Sequence, residues 1–250
     1  MNANPQEVRR LEELTLNAWP GLKQVVRDGW VARLARGFTG RANSVVPLDE
    51  GILDPLQKIE FFESLYAAHA LPATFKLTDH CRPAGLGAFL AARGYRESRR
   101  ASVQVSNDWT DEPVAAGMEA RAHPWPAWTE SVVAVRSLSS ADASTLADVL
   151  AAIALPRRFA LSVDQNGVAA CGFGVLEDEW VGLYDITTRV NARRRGHAAR
   201  VVGAIMAWAR DNGASAAYLQ VMTDNAPARA LYAKLGFREA YQYAYRTKSL

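Results

Sequence analysis

The stretch Arg193-Arg194-Arg195-Gly196-His197-Ala198 stands between an apolar run, Trp180-Val181-Gly182-Leu183-Tyr184-Asp185-Ile186, and a segment in which Val201, Val202, Ile205, Met206 and Ala209 recur at helical intervals. The first flank is a strand and the second an amphipathic helix with one buried face; Gly213 supplies the stop. A helix that opens at a glycine directs unpaired backbone N–H groups and the positive end of its dipole at whatever lies there, which favours an anion. Gly196 and the small Ala198 let a diphosphate approach the backbone. The stretch reads as a pyrophosphate cradle, against the plain alternative of a solvated arginine-rich turn.

Its surroundings decide between those readings. A nucleoside-triphosphatase loop needs a Gly-Lys-Ser/Thr ending, and a dinucleotide fingerprint needs three glycines; neither is present. Instead the chain continues into a second strand, Ala216–Val221, and then a helix within Asp224–Phe237. Asp224 or Asn225 can cap that helix, Pro227 suits its first turn and Gly236 its left-handed exit.

In these residues the chain resembles the GNAT superfamily of acyl-CoA-dependent N-acetyltransferases. R-x-x-G-x-A at 193–198 is followed about 27 residues later by N-x-x-A-x-x-L-Y-x-x-x-G-F at 225–237. The resemblance covers roughly the last 120 residues. It implies an α/β fold with a mixed, largely antiparallel twisted sheet flanked by helices. It also implies acetyl-CoA as cosubstrate, no metal, and direct transfer of the acetyl group to an amine. Carried over residue by residue, the amides of Arg195, Gly196, His197, Ala198 and Ala199 hold the pyrophosphate. Backbone groups of Ile186 and Thr188 hold the acetyl and pantetheine end, Asn225 bonds the arm, and Tyr232 protonates the departing thiolate. Val190 departs from the proline that family members often carry there.

The chemistry suits those residue types. Attack of an amine on a thioester makes an oxyanion that backbone donors can stabilise, and a tyrosine of pKa about 10 can protonate a thiolate whose acid has pKa about 8.5. Tyr232 could instead only pack its ring on the sheet, and Asn225 could be only a helix cap. For the general base, Asp185 is nearest by sequence, with a strand-edge charge or a partner for Arg189 as its other reading. Glu177, Asp178 and Glu179 read as a solvated turn, and the imidazole of His197 is given no catalytic role.

With 250 residues and 49% hydrophobic content the chain can bury a sizeable core. The net charge of +3 is modest. Its local excess, Arg189, Arg193, Arg194, Arg195 and Arg200, falls where the diphosphate and 3′-phosphate of coenzyme A are expected. The cluster lacks the interleaved aromatics of a nucleic-acid binder, so no nucleic-acid partner is expected. Cys81 and Cys171 form no disulfide framework, and His69, His80, His123 and His197 give no metal-ligand spacing, Asp79-His80-Cys81 reading as a loop. Neither a signal peptide nor a membrane span is read at the N-terminus, which sets the expectation of a cytoplasmic protein without a membrane partner.

Upstream, a helix is expected over 5–18, paired strands over 29–36 and 42–47, and a helix over 55–70. A strand over 73–78, a helix over 86–93 and a strand over 98–106 complete the first half. Gly85–Glu97 echoes Pro227–Glu239, ending Gly-Tyr-Arg-Glu against Gly-Phe-Arg-Glu, with Leu90 in the place of Tyr232 and no preceding cradle. The expected organisation is two related halves. Residues 1–108 form a degenerate GNAT-like domain, 109–126 a proline- and alanine-rich linker, and 127–250 the N-acetyltransferase domain. The acceptor is a small-molecule amine or a peptide or protein N-terminal amine. A longer acyl donor, or a non-catalytic acyl-CoA-binding or regulatory module, are the alternatives.

Overall fold

In the computed structural model, which describes residues 3–107 and 117–248, helix α1 (Pro5–Ala18) starts at a reciprocal cap. The Asn4 side chain accepts from the N–H groups of Gln6 and Glu7, and Glu7 accepts from that of Asn4. Strands β1 (Lys23–Arg27), β2 (Trp30–Leu34) and β3 (Val45–Pro47) pair antiparallel in turn. Helix α2 (Pro55–Ala67) then leads to β4 (Ala73–Thr78), which runs parallel to β3. Helix α3 (Leu86–Ala92) and strand β5 (Arg96–Ser106) come next. The pairing of the second and third strands is as read from sequence, whereas β1 was not expected. Helix α2 stops short of residue 70, where Ala70 takes φ +53. Trp30 stacks on Phe62 and meets the edge of Phe75, and Tyr66, Leu90 and Tyr95 close the same apolar cluster.

The later elements are β6 (Met118–Arg121), α4 (Pro126–Arg136), α5 (Ser140–Ala151), β7 (Arg157–Asp164), β8 (Gly167–Glu177) and β9 (Trp180–Thr188). After them come α6 (His197–Asp211), β10 (Ala216–Met222), α7 (Ala226–Lys234) and β11 (Arg238–Lys248). Of the stretch read as a linker, residues 109–116 lie outside the described residues, while β6 pairs antiparallel with β7. The ladder continues antiparallel through β8 to β9, and β9 pairs parallel with β10. Helix α6 buries Val201, Val202, Ile205 and Ala209 against Val181 and Leu183 of β9 and Ala217 and Leu219 of β10. Each fully buried Val or Ile side chain contributes about 1.5–3 kcal/mol, so this face fixes the helix on the sheet.

The order helix, three antiparallel strands, helix, parallel strand, helix, strand occurs twice along the chain. The exits of α3 and α7 also match: Tyr95 and Phe237 donate to Leu90 and Tyr232, and Gly94 and Gly236 donate to Ala91 and Ala233. Yet the chain folds as two units that do not follow the sequence halves. One holds Met1–Ser102, Ser144–Ile153 and Ala240–Leu250; the other holds Val103–Ala143 and Ala154–Glu239. Strand β11 pairs antiparallel with β4, so the last strand of the chain completes the sheet of the first unit. Each unit is a mixed, largely antiparallel sheet flanked by helices, the fold class read from sequence. Among the described residues no helix is long and apolar enough to cross a membrane.

Candidate active site

The cradle is built by the loop between β9 and α6. Arg194 takes φ +60 and Gly196 φ +80, and alternation of handedness here turns successive backbone N–H groups to one side, the arrangement of an anion nest. Gly196 is the N-cap of α6 and supplies no capping side chain. Among the described residues nothing accepts from the amides of Arg195, Gly196, His197, Ala198 and Ala199. A Cβ on Gly196 would meet nothing nearer than the Arg200 guanidinium at 3.8 Å, so glycine is demanded by backbone handedness and leaves the seat open.

The side chains around the loop divide their work. Arg193, Arg194 and Arg195 are exposed and form no ion pair among the described residues. Arg200 donates to the Arg195 carbonyl at 2.9 Å, bracing the loop. Arg189, counted with this cluster on sequence, is spent elsewhere, donating to both oxygens of Asp164 at 2.8 and 2.9 Å. His197 is buried and hydrogen-bonds Ser162 Oγ through Nδ1 at 2.9 Å. Burial, with the nearby Arg200, holds its pKa below the ordinary 6.5, so the imidazole is a neutral wedge under the cradle.

Strand β9 supplies the second part. Opposite β8, Cys171 faces Thr187 and Phe173 faces Tyr184, so Asp185 and Ile186 together oppose Gly172 alone. This is a β-bulge, and Asp185 carries it at φ +48. A Cβ on Gly172 would lie 2.4 Å from Ile186 Cδ1 and 3.3 Å from Ile186 Cα, so the Ile186 side chain occupies the room that glycine leaves and would have to turn aside for a larger residue. The parallel ladder with β10 ends at Leu183 and Leu219, just before the bulge, although both strands run on. The two strands therefore stop pairing ahead of Ile186 and Thr188. Thr188 stays in the β8 ladder opposite Ala170.

Helix α7 brings the third part. Asn225 is its N-cap, accepting from the Ala228 N–H at 3.3 Å, so the capping reading holds. Tyr232 is 7% exposed and packs edge-on against Phe237, 5.9 Å between ring centroids, in the cluster that contains Val181, Leu183 and Val202. Its hydroxyl makes no hydrogen bond among the described residues. Burial pushes its pKa up to about 12, so the phenol keeps its proton across the physiological range.

The structure also pairs the carboxylate and buries a thiol. Asp185 is paired with Arg136 at 3.0 Å rather than with Arg189, and its side chain is 6% exposed. Cys171 hydrogen-bonds Thr187 Oγ1, and burial pushes its thiol up to about 11, which leaves no thiolate for covalent transfer. Sequence reasoning missed Arg136, Trp128, Ser162 and Gly172. Arg136 lies 49 positions from Asp185, so no local pattern signals the pair.

Known proteins share this fold. The uncharacterized N-acetyltransferase YobR of Bacillus subtilis is 26% identical, over 97% of this chain and 99% of its own length. A GCN5-related N-acetyltransferase from Kribbella flavida shares the fold with a TM-score of 0.70 at 18% identity, covering 96% of this chain and 95% of that one. A tandem GNAT protein from the clavulanic acid biosynthesis pathway matches with a TM-score of 0.62 at 14% identity, over 99% and 90% of the two chains. The family described as "Probable histone acetyltransferase Rv0428c C-terminal" matches residues 5–246, nearly the whole described chain. The chain belongs to that family, and with it to the N-acetyltransferases of the GNAT superfamily.

Proposed function

We propose that this protein transfers an acetyl group from acetyl-CoA directly to an amine, and that residues 127–250 carry the chemistry. The observation that carries the reading is the uncapped amide row at the start of α6, which lies just beyond the strand that parts from its neighbour at a bulge. In this reading the amides of Arg195–Ala199 hold the pyrophosphate, with Arg193, Arg194 and Arg195 around it. Backbone groups of Ile186 and Thr188 take the pantetheine and the thioester carbonyl. Asn225, whose Oδ1 is engaged as a cap, offers its amide N–H to the arm.

The amine lone pair forms the N–C bond and places charge on the carbonyl oxygen, where strand donors stabilise it. Collapse breaks the C–S bond, the sulfur leaves as thiolate, and the amine proton passes to water. The Tyr232 phenol, at about 12, lies well above a free thiol's roughly 8.5. It therefore acts first as a hydrogen-bond donor to the developing thiolate; the proton it yields late to sulfur is restored to the tyrosinate from the water that took up the amine proton. The 1–108 half serves as a degenerate copy without a second cradle, a reading supported by the repeated element order and the matching exits of α3 and α7.

The test is direct. Acetyl-CoA should raise the melting temperature by mass action, and free thiol should appear in a screen of amines. Because the matching family is described by a histone acetyltransferase, a histone-tail peptide belongs in that screen beside polyamines and amino acids. Binding of acetyl-CoA without thiol release for any amine would favour the non-catalytic module.

A further inference from the structure

The bulge at Asp185–Ile186 is a strained feature, and the structure shows what holds it. A non-glycine residue at positive φ is disfavoured and persists where its surroundings over-determine it; aspartate and asparagine tolerate it best among side-chain-bearing residues. Two hydrogen bonds and one glycine bear on this one. Arg136 Nη1 donates to Asp185 Oδ2 at 3.0 Å. Trp128 Nε1 donates to the carbonyl of Gly172, the residue opposite the bulge, at 3.0 Å. Gly172 itself leaves the room that Ile186 fills.

Both donors come from α4, so one helix grips both strands of the bulge. The grip is buried: Trp128 is fully enclosed between Phe159 and Phe173, and the Asp185 carboxylate is nearly so. An ion pair in such a place costs desolvation, and it contributes geometry more dependably than stability.

We infer that Asp185 and Arg136 are positioning residues, which lock the bulge so that the backbone of Ile186 and the residues after it is aimed at the pantetheine and thioester. Asp185 is thereby removed as general base: its work is to hold φ +48 and to accept from Arg136. This rests on the proposed use of acetyl-CoA, and it makes the acyl-end contacts separable from the cradle contacts, since the two hydrogen bonds from α4 go to residues 172 and 185 and not to the 193–199 loop.

The experiment compares two ligands by calorimetry: acetyl-CoA, which reaches the bulge, and adenosine 3′-phosphate 5′-diphosphate, which reaches only the cradle. Asp185→Ala loses both the favoured conformation and the acceptor, and it should weaken acetyl-CoA about tenfold, the size of one or two misaligned hydrogen bonds. The nucleotide should bind as in the wild type, which also reports that the variant is folded. Asp185→Asn keeps the left-handed preference and an acceptor for Arg136, and it should stay within about twofold of wild type. Asp185→Gly keeps the conformation alone and should fall between. In turnover with any amine found to be acetylated, Asp185→Asn should remain active, which a general base would not allow. Asp185→Asn as damaged as Asp185→Ala, or Asp185→Ala unaffected, would overturn the lock while leaving the acetyl-CoA reading intact. Failure of the wild type to bind acetyl-CoA would overturn both.

Discussion

Helices α2 and α6 hold the same place in the repeated order of elements, each coming after the third strand and before the strand that pairs parallel with it. Their N-termini are treated in opposite ways. At α2 the chain supplies its own anions: Asp54 caps the Leu56 N–H at 2.7 Å, and Asp28 accepts from Ile52 and Leu53 at 3.0 and 2.9 Å. The same carboxylate pairs with the fully buried Lys58 at 3.1 Å. Hydrogen bonds from the Ile52 and Leu53 backbone, more than the lysine, hold the Asp28 carboxyl down at about 2. At α6 no side chain caps the helix and the amides of Arg195–Ala199 are left open. The preference of a helix start for negative charge is satisfied internally at α2 and left unsatisfied at α6 among the described residues.

The comparison extends to the next helix, and there the largest effect is expected. Leu90, fully buried, has in α3 the position that Tyr232 has in α7. Tyr232→Phe should lower turnover by roughly 10²- to 10⁴-fold, the range for loss of a proton-donating group, with acetyl-CoA affinity nearly unchanged. Steady-state kinetics beside calorimetry measure the two separately. Equal turnover would mean that water or another group serves the sulfur, and that the difference between Leu90 and Tyr232 has no chemical meaning.

Next comes the cradle itself. Gly196→Glu places a Cβ where φ is +80 and a negative charge at the proposed pyrophosphate site. Strain of about 1–2 kcal/mol and charge repulsion together should weaken coenzyme A by about 100-fold or more and remove its thermal shift. An undiminished shift would put the nucleotide elsewhere. The same contrast fixes stoichiometry: with α2 already carrying its carboxylates, titration should give one coenzyme A per chain, and two sites of similar affinity would show that Asp28 does not occupy the first seat.

Much of this was legible because it is local. The cradle, the face of α6 and the cap and exit of α7 are set within one or two helical turns, where residue spacing alone carries the information. The features that were not legible depend on partners far along the chain. Strand β1, Lys-Gln-Val-Val-Arg, is mostly exposed and shows no clean alternation. The bulge is invisible without the register of β8 against β9, because Asp185 looks like any strand residue until Gly172 is placed opposite it and its neighbour. Asp164 captures Arg189, and Arg136 takes Asp185, across 25 and 49 positions. Periodicity likewise cannot reveal that β11 pairs with β4, so units defined by contact cut across the halves defined by sequence.

The smallest expected effect isolates the internal anion at α2. Its folded pKa of about 2 lies below the roughly 3.9 of a free aspartate, so between those values the unfolded chain binds more protons than the folded one. Stability from this carboxylate is therefore fully present above about pH 4, and it is lost as pH falls toward 2. Asp28→Asn keeps an acceptor for the Ile52 and Leu53 amides but removes the charge facing Lys58. Its melting temperature should lie a few degrees below wild type at pH 6, and the gap should close as both proteins are taken from pH 4 to pH 2. The other carboxylates titrate alike in the two proteins and cancel in the difference. A gap that stays constant over that range would mean that the ionised form of Asp28 is not what fills the start of α2, and the contrast with the open α6 cradle would then rest on shape alone.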